Sequence, residues 1–469
     1  MFYGRDREIA ELEKQYSLKD FRFFVLYGRR RVGKTRLLQE FCKGKKTIFH
    51  VGMQQTRDAA LLSFSHDVLS VLPSGDAEFF DRFRSWEDAF RYIARFSKEE
   101  RIVLVMDEYP YIAQADPTLP SLLQKFIDHE WKATGIFLVL CGSSMSFMEN
   151  QVLGYQSPLY GRRTAQLKVR PMDYADAMKF FSRWNPTDRM YAYGVCGGIP
   201  KYLEFFAEYP DFVSAVKGEF LSLSGHLAEE PMNLMQQEMR EPALYNGILE
   251  AIASGKTKQN EISAAVGKET KDITAYLKAL ADLDIIEKRL PFEETNKKKT
   301  TYEVSDQLYR FWFRFMPRCM SLIGMDMGDV AWKNVILPEL DAYFGHIFET
   351  ICLQYIKGLI RSGRLSPVYL TYGKWWGTDV ATRTAEDIDL VAATNTEILV
   401  GECKWHKGKV GGEVLDLLQR RGELVRRGRS IQYIIFSKSD FTIDLIRRAE
   451  KENVILVRAS EMTGSSSLS

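Results

Sequence analysis

The chain has 469 residues, 45% of them hydrophobic, and its 64 basic and 62 acidic side chains leave a formal net charge of +2. That length exceeds one ordinary core and calls for roughly two to four domains of a globular protein, and the near-neutral charge excludes a polyelectrolyte coat while leaving room for local basic patches. The six cysteines are scattered without a C-x-x-C, which excludes a zinc knuckle or a disulfide framework. Apolar runs such as 136–141 are too short to span a bilayer, and no apolar leader opens the chain. The expected setting is the reducing cytoplasm, with no membrane partner.

The first element in chain order is an apolar run, residues 23–27, that enters Gly28-Arg-Arg-Arg-Val-Gly-Lys-Thr35 and leaves as a helical pattern to Phe41. This is G-x-x-x-x-G-K-[ST] in its strand-loop-helix context, a cradle for a nucleoside triphosphate. Gly28 and Gly33 permit the backbone to turn its N–H groups inward, Lys34 reaches the β- and γ-phosphates, and Thr35 offers its hydroxyl to Mg²⁺. ATP and Mg²⁺ are the expected cofactors. Residues 102–108 form a second apolar strand ending in Asp107-Glu108. Metal holding and proton transfer are separate tasks, so Asp107 suits the Mg²⁺ shell and Glu108 suits activation of the attacking water. A third strand, 136–141, runs into Gly142-Ser143-Ser144. Ser143 or Ser144 either bonds the γ-phosphate and water or is an ordinary turn serine. Arg162, in Gly161-Arg162-Arg163, is either an arginine finger, in its own site or a neighbour's, or a surface charge.

These segments resemble the P-loop ATPases of archaeal type, close to the STAND class of the AAA+-like group. The resemblance rests on the opening 2–8 box, the 28–35 loop, Asp107-Glu108, Gly142-Ser143-Ser144, Gly161-Arg162 and Gly197-Gly198-Ile199-Pro200. It implies that Arg5 flanks the nucleotide and that Pro200 lies near the base and phosphates. An ATPase domain over 1–225 is expected. A finger acting in trans would require a homo-oligomer.

A polar, acidic stretch at 226–241 marks a boundary. Helical patterns occur at about 243–254, 258–266 and 270–283, then a strand pair, 285–290 and 300–304, around a loop carrying Lys297, Lys298 and Lys299. Three helices and a ribbon over 226–320 resemble a winged helix-turn-helix. Such a unit either sets its third helix in the DNA major groove with the lysines on phosphates, or serves as a spacer between domains. The aromatic stretch 306–315 reads as a core helix tying the middle to the C-terminal domain, with a stacking platform for nucleic acid as the alternative.

Residues 386–391 and 398–405 read as two strands of a hairpin turning at 394–397. With Asn395-Thr396 as a two-residue turn, Thr394 pairs with Glu397, Asp389 comes opposite Glu402, and Asp387 opposite Lys404. Facing carboxylates repel, and a divalent cation resolves the repulsion. Lys404 would then orient water or stabilise charge on a phosphodiester. A plain charged surface hairpin is the alternative. The pattern resembles the PD-(D/E)xK nuclease superfamily, with Ile388 in place of its leading proline. The resemblance implies that Glu349, on an upstream helix, is a further metal ligand beside Asp389 and Glu402. Arg420, Arg421, Arg426, Arg427 and Arg429 form either a phosphate track or a solvated face.

The whole is expected to be α/β: a P-loop NTPase domain with a parallel sheet, a helical, winged-helix-like middle, and a restriction-endonuclease-like α/β domain at 321–460, followed by a disordered tail at 461–469. The expected function is ATP turnover coupled to a metal-dependent nuclease acting on nucleic acid, with DNA favoured. The alternative is a STAND-type switch whose C-terminal domain only binds a partner.

Overall fold

The structure is a computed structural model that describes residues 2–72 and 81–463. The chain divides into two compact units. One runs to Met172 and adds Ile199–Lys201; the other comprises Asp173–Gly198 and the residues from Tyr202 on.

The first unit is built on a five-stranded sheet of β1 (Arg22–Tyr27), β2 (Thr47–Val51), β3 (Ile102–Asp107), β4 (Ile136–Gly142) and β5 (Ala165–Lys168), in the order β2-β3-β4-β1-β5. Every pairing is parallel. β3 and β4 are buried along their whole length, which is why they read as continuous apolar runs. The two edge strands, β2 and β5, escaped the sequence because an edge needs no such run. β5 is Ala-Gln-Leu-Lys, a four-residue alternation too short to stand out as a strand.

In the second unit, helices Pro242–Ala253, Gln259–Ala265 and Ile273–Asp282 precede an antiparallel ribbon of β6 (Ile286–Arg289) and β7 (Thr301–Val304), close to the expected bounds. Ile273, Leu277 and Leu280 face a core shared with Ile248 and Ile262, while Lys271, Thr274 and Lys278 are exposed. The boundary stretch 226–241 is not a plain linker, since helix Glu230–Glu238 puts Leu234 and Met235 into that core. The aromatic helix spans Gln307–Gly324 and buries Phe311, Trp312 and Phe315. Trp312 Nε1 donates to Ala228 O at 2.6 Å, so these rings are core and not a stacking platform.

The second sheet is mixed. It joins β8 (Thr371–Asp379), β9 (Thr384–Ala393), β10 (Glu397–Lys404), β11 (Ser430–Ser437) and β12 (Val454–Arg458) in the order β12-β11-β10-β9-β8. β8-β9-β10 is antiparallel, and β10-β11-β12 is parallel. Helix Leu340–Arg361 packs on β10, and helix Gly412–Val425 on β9 and β10.

The break between units falls at 172, ahead of the expected domain boundary near 225. The reason lies in helix Pro186–Cys196, which packs on helix Leu340–Arg361. A Cβ added to Gly194 would lie 2.6 Å from Phe344 Cε2. Tyr191 Oη donates to Asp341 and accepts from Lys438 Nζ at 2.9 Å. Gly194→Val is therefore expected to destabilise the second unit by about 1–3 kcal/mol, as overpacking does. A urea midpoint equal to that of the parent chain would contradict this close packing. The expected tail lies outside the described residues from 464 on. Its first residues differ from expectation: 459–462 form a 3-10 turn with Met462 buried.

Candidate active site

In the first unit, the loop after β1 closes onto helix Lys34–Cys42. Gly33 caps it at φ 88°, a left-handed angle that favours glycine. Gly28 is required for a different reason: a Cβ there would lie 2.4 Å from Val169 O. Lys34 is buried, and its Nζ donates to Gly28 O at 2.8 Å and Arg29 O at 3.1 Å. Thr35 Oγ1 donates to Asp107 Oδ2 at 2.6 Å, and Asp107 Oδ1 accepts the Glu108 N–H at 3.0 Å. Glu108 takes φ 49°, a left-handed angle unusual for a side-chain-bearing residue and common where function holds the backbone in place. Its carboxylate is gripped by the Ser143 hydroxyl, 2.9 and 2.7 Å from the two oxygens.

Hydroxyl, carboxylate, ammonium and the N-terminal end of a helix meet within one loop's reach. That donor set fits a Mg²⁺–nucleoside triphosphate, with Thr35 and Asp107 as the hard-oxygen pair. Ser143 turns out to hold the carboxylate of Glu108. Arg5, buried at φ 68°, binds Glu8 Oε1 at 2.7 Å, Arg170 O at 2.8 Å and Val32 O at 2.9 Å. It braces the loop from behind. Pro200 lies beside the loop, its Cγ 3.5 Å from a Cβ built on Gly33. Arg162 is held by other partners. Its Nε and Nη2 bind Asp128, with contacts of 2.8–3.0 Å, and its Nη1 donates to the Pro158 and Tyr160 carbonyls.

In the second unit, the hairpin closes as expected, with Thr394 N–H on Glu397 O at 2.9 Å. Val400 pairs with Val391 and Gly401 with Leu390, the register that sets Asp389 against Glu402. The ladder then stops, because the Cys403 N–H is donated to Asp389 Oδ2 at 2.9 Å. The anticipated Asp387–Lys404 pair consequently does not form: Asp387 pairs with Trp376 of β8, and Lys404 Nζ binds Glu402 Oε1 at 2.6 Å. Glu402 Oε2 is buried with no hydrogen-bond partner among the described residues, although the Arg421 guanidinium stands 3.7 Å away.

Glu349 joins this cluster through a residue that the sequence did not single out. Lys374 Nζ lies 2.9 Å from Glu349 Oε2, 3.8 Å from Asp389 Oδ1 and 4.0 Å from Asp387 Oδ2. The register shift between Gly373 and Trp375 sets Lys374 against two residues of β9, Asp389 and Leu390, a bulge in β9. No residue pattern announces such a bulge. Burial, reinforced by the charges of Glu349 and Glu402, pushes Asp389 up to about 7. Burial also works to raise Glu349, but the hydrogen bond from His346 and the charge of Lys374 outweigh it and hold it below the usual range. Lys374 and Lys404 are both raised: burial acts against them, and their carboxylate neighbours prevail.

A divalent cation does not fit this arrangement. Among the described residues, no three His, Cys, Asp or Glu side chains converge as a metal site. The positive charge between Glu349 and Asp389 is that of Lys374. The five arginines of the supposed phosphate track are all in ion pairs: Arg420 and Arg421 with Glu386, Arg426 with Glu423, and Arg427 and Arg429 with Glu293. Lys297, Lys298 and Lys299 are exposed in a short 3-10 turn, with Lys299 on Glu294 at 2.6 Å.

Residues 2–206 match a family described as an ATPase domain predominantly from Archaea, and residues 312–416 match one described as Archaea bacterial proteins of unknown function. An uncharacterised protein of Methanocaldococcus jannaschii is 31% identical over 408 residues, 86% of this chain and 88% of its own length. An uncharacterised ATP-binding protein of the same organism is 44% identical over 46 residues, 10% of this chain and 78% of its own. The solved Walker-type ATPase of Pyrococcus abyssi is similar at TM-score 0.53 and 22% identity, covering 67% of this chain and 96% of that one. The phosphate loop and its carboxylates thus sit in an ATPase domain of archaeal P-loop type.

Proposed function

The chain belongs to the family of its Methanocaldococcus jannaschii relative, and its residues 2–206 match an ATPase domain predominantly from Archaea; from that premise we propose an ATP-hydrolysing switch that controls a nucleic-acid-processing domain. The observation that carries the hydrolytic half is the 2.6 Å contact of Thr35 with Asp107, with Glu108 one residue further on. Mg²⁺ bound at Thr35 and Asp107 would neutralise phosphate charge. Lys34 offsets charge on the β- and γ-phosphates. Glu108, aligned by Ser143, takes the proton of the attacking water. The loop keeps its shape through Arg5, and Pro200 closes its side.

The functional division we propose remains 1–225, 226–320 and 321–460. The middle acts as a winged helix whose Lys297–Lys299 turn meets DNA phosphates. The last domain acts as a PD-(D/E)xK-type phosphodiesterase centred on Glu349, Asp389, Glu402 and Lys404. Support for this half comes from Glu402, a buried carboxylate beside Lys404 and opposite Asp389 whose Oε2 accepts no hydrogen bond among the described residues. The rival reading, a partner-binding module without catalysis, is favoured by Lys374 filling the space between Glu349 and Asp389.

One preparation tests both halves. Lys34→Ala is expected to lose Mg²⁺-dependent ATP turnover. Glu402→Ala is expected to lose DNA cleavage while keeping ATP turnover. DNA cleavage that persists unchanged in Glu402→Ala removes the nuclease reading, and absence of ATP turnover in the parent chain reduces the first half to nucleotide binding.

A further inference from the structure

We infer that Lys374 is a built-in counter-cation that closes the carboxylate cluster to divalent metal, held there by the loop between β6 and β7. The inference deepens the phosphodiesterase reading and rests on it only in taking Glu349, Asp389 and Glu402 as one cation-binding group.

Electrostatics gives the first half. Three carboxylates share one poorly solvated region: Lys374 Nζ lies 2.9 Å from Glu349 and 3.8 Å from Asp389, and the β9–β10 register sets Glu402 against Asp389. Such a group must be neutralised by protons, a metal or a cationic side chain. Here it is neutralised by Lys374 on the Glu349–Asp389 side, and by Lys404 and the Arg421 guanidinium, 3.7 Å away, on the Glu402 side. Glu402 is about nineteen-twentieths buried, yet its Oε2 accepts no hydrogen bond among the described residues. A buried carboxylate oxygen left without a donor is costly, and a cation drawn toward it would recover that cost. Between Gly373 and Trp375 the register shifts, so that Lys374 of β8 stands against two residues of β9, Asp389 and Leu390, and the bulge in β9 sets Asp389 beside the lysine.

The second half concerns what holds the bulge. The Phe292 N–H donates to the carbonyl of Lys374 itself at 2.8 Å. The Phe292 ring is buried in the core of the last domain with Ile388, Val391 and Ile435, and it lies 3.3 Å from a Cβ built on Gly373. Next along, Glu293 binds Arg429 at 2.6 Å and Arg427 at 3.1 Å. One short stretch, Phe292-Glu293, therefore clasps the strand that carries the lysine. It belongs to the loop that also exposes Lys297 and Lys298. Withdrawing this loop removes the hydrogen bond that fixes Lys374, so metal access to the cluster is coupled to the position of the ribbon.

The test is direct Mn²⁺ binding followed by electron paramagnetic resonance, on the full chain without nucleotide. Thr35→Ala is the background, so that the phosphate loop contributes no site. Lys374→Gln is expected to bind one Mn²⁺ about tenfold more tightly than the background chain, a size typical of coupled sites. Glu293→Lys, which weakens the clasp without touching the cluster, is expected to tighten binding about threefold. Adding Glu402→Gln should abolish both gains. Unchanged Mn²⁺ affinity in Lys374→Gln, or a gain that survives Glu402→Gln, overturns the inference. Should Lys374→Gln fail to fold, an unchanged affinity in Glu293→Lys overturns it alone. Tighter metal binding with no cleavage of any DNA would leave the gate standing and remove the phosphodiesterase reading.

Discussion

Glu108→Gln is expected to lower ATP turnover by about 10²–10⁴-fold, the range of a lost general base, while nucleotide binding stays near that of the parent chain. The asymmetry follows from geometry. In the proposed site the phosphates would face Lys34 and the loop backbone, and the metal would be held by the oxygens of Thr35 and Asp107. The Glu108 carboxylate is held instead by Ser143. Glutamine keeps the size and can still accept the Ser143 hydroxyl, so the loop retains its form, but it cannot take a proton from water. The result is read from steady-state phosphate release together with binding of a fluorescent ATP analogue. Turnover within threefold of the parent chain would assign the base elsewhere. Ser143→Ala, which frees the carboxylate without removing it, is expected to fall between the two.

The second large effect concerns stability and its pH dependence. In the folded chain Asp389 titrates at about 7, above its ordinary 3.8, chiefly because it is buried. The folded state thus holds this proton more tightly than the unfolded state does. Stability from this group is intact below about pH 4 and is lost as pH rises toward 7. Asparagine cannot ionise, yet its carbonyl can still accept the Cys403 N–H. Asp389→Asn should therefore gain stability relative to the parent chain on going from pH 5 to pH 8, by on the order of 2–3 kcal/mol. Urea unfolding followed by tryptophan fluorescence at the two pH values measures it. An equal difference at both pH values, or a larger gain at pH 5, would mean that Asp389 is ionised throughout and that Lys374 dominates its environment.

Much of the first unit was legible because its chemistry is local. Gly28, Gly33, Lys34 and Thr35 lie within eight consecutive positions, and the strands feeding them are apolar runs. Asp107 and Glu108 end one such run. Even here the tertiary structure supplied the partners. Ser143, read as a phosphate contact or a turn serine, grips Glu108, and Arg162, read as an arginine finger or a surface charge, pairs with Asp128. Neither partner could be found by spacing, since Asp128 lies on a separate helix, Leu119–His129.

The second site divides differently. A hairpin's register follows from its turn, so the Asp389–Glu402 pairing could be counted out from Asn395-Thr396. The end of the ladder could not be. It depends on a side chain, Asp389, outcompeting a carbonyl for the Cys403 N–H.

By itself, then, the sequence determined the phosphate loop, the Asp107-Glu108 pair, three helices with a ribbon, and a hairpin bringing two carboxylates face to face. All of these rest on short-range geometry: glycine angles, strand alternation and turn length. Only the tertiary structure decided what neutralises those carboxylates. Lys374 stands opposite a bulge in β9 and is fastened by Phe292 from another element. A bulge and a clasp are properties of packing between segments far apart in the chain, and neither leaves a mark in the order of residues.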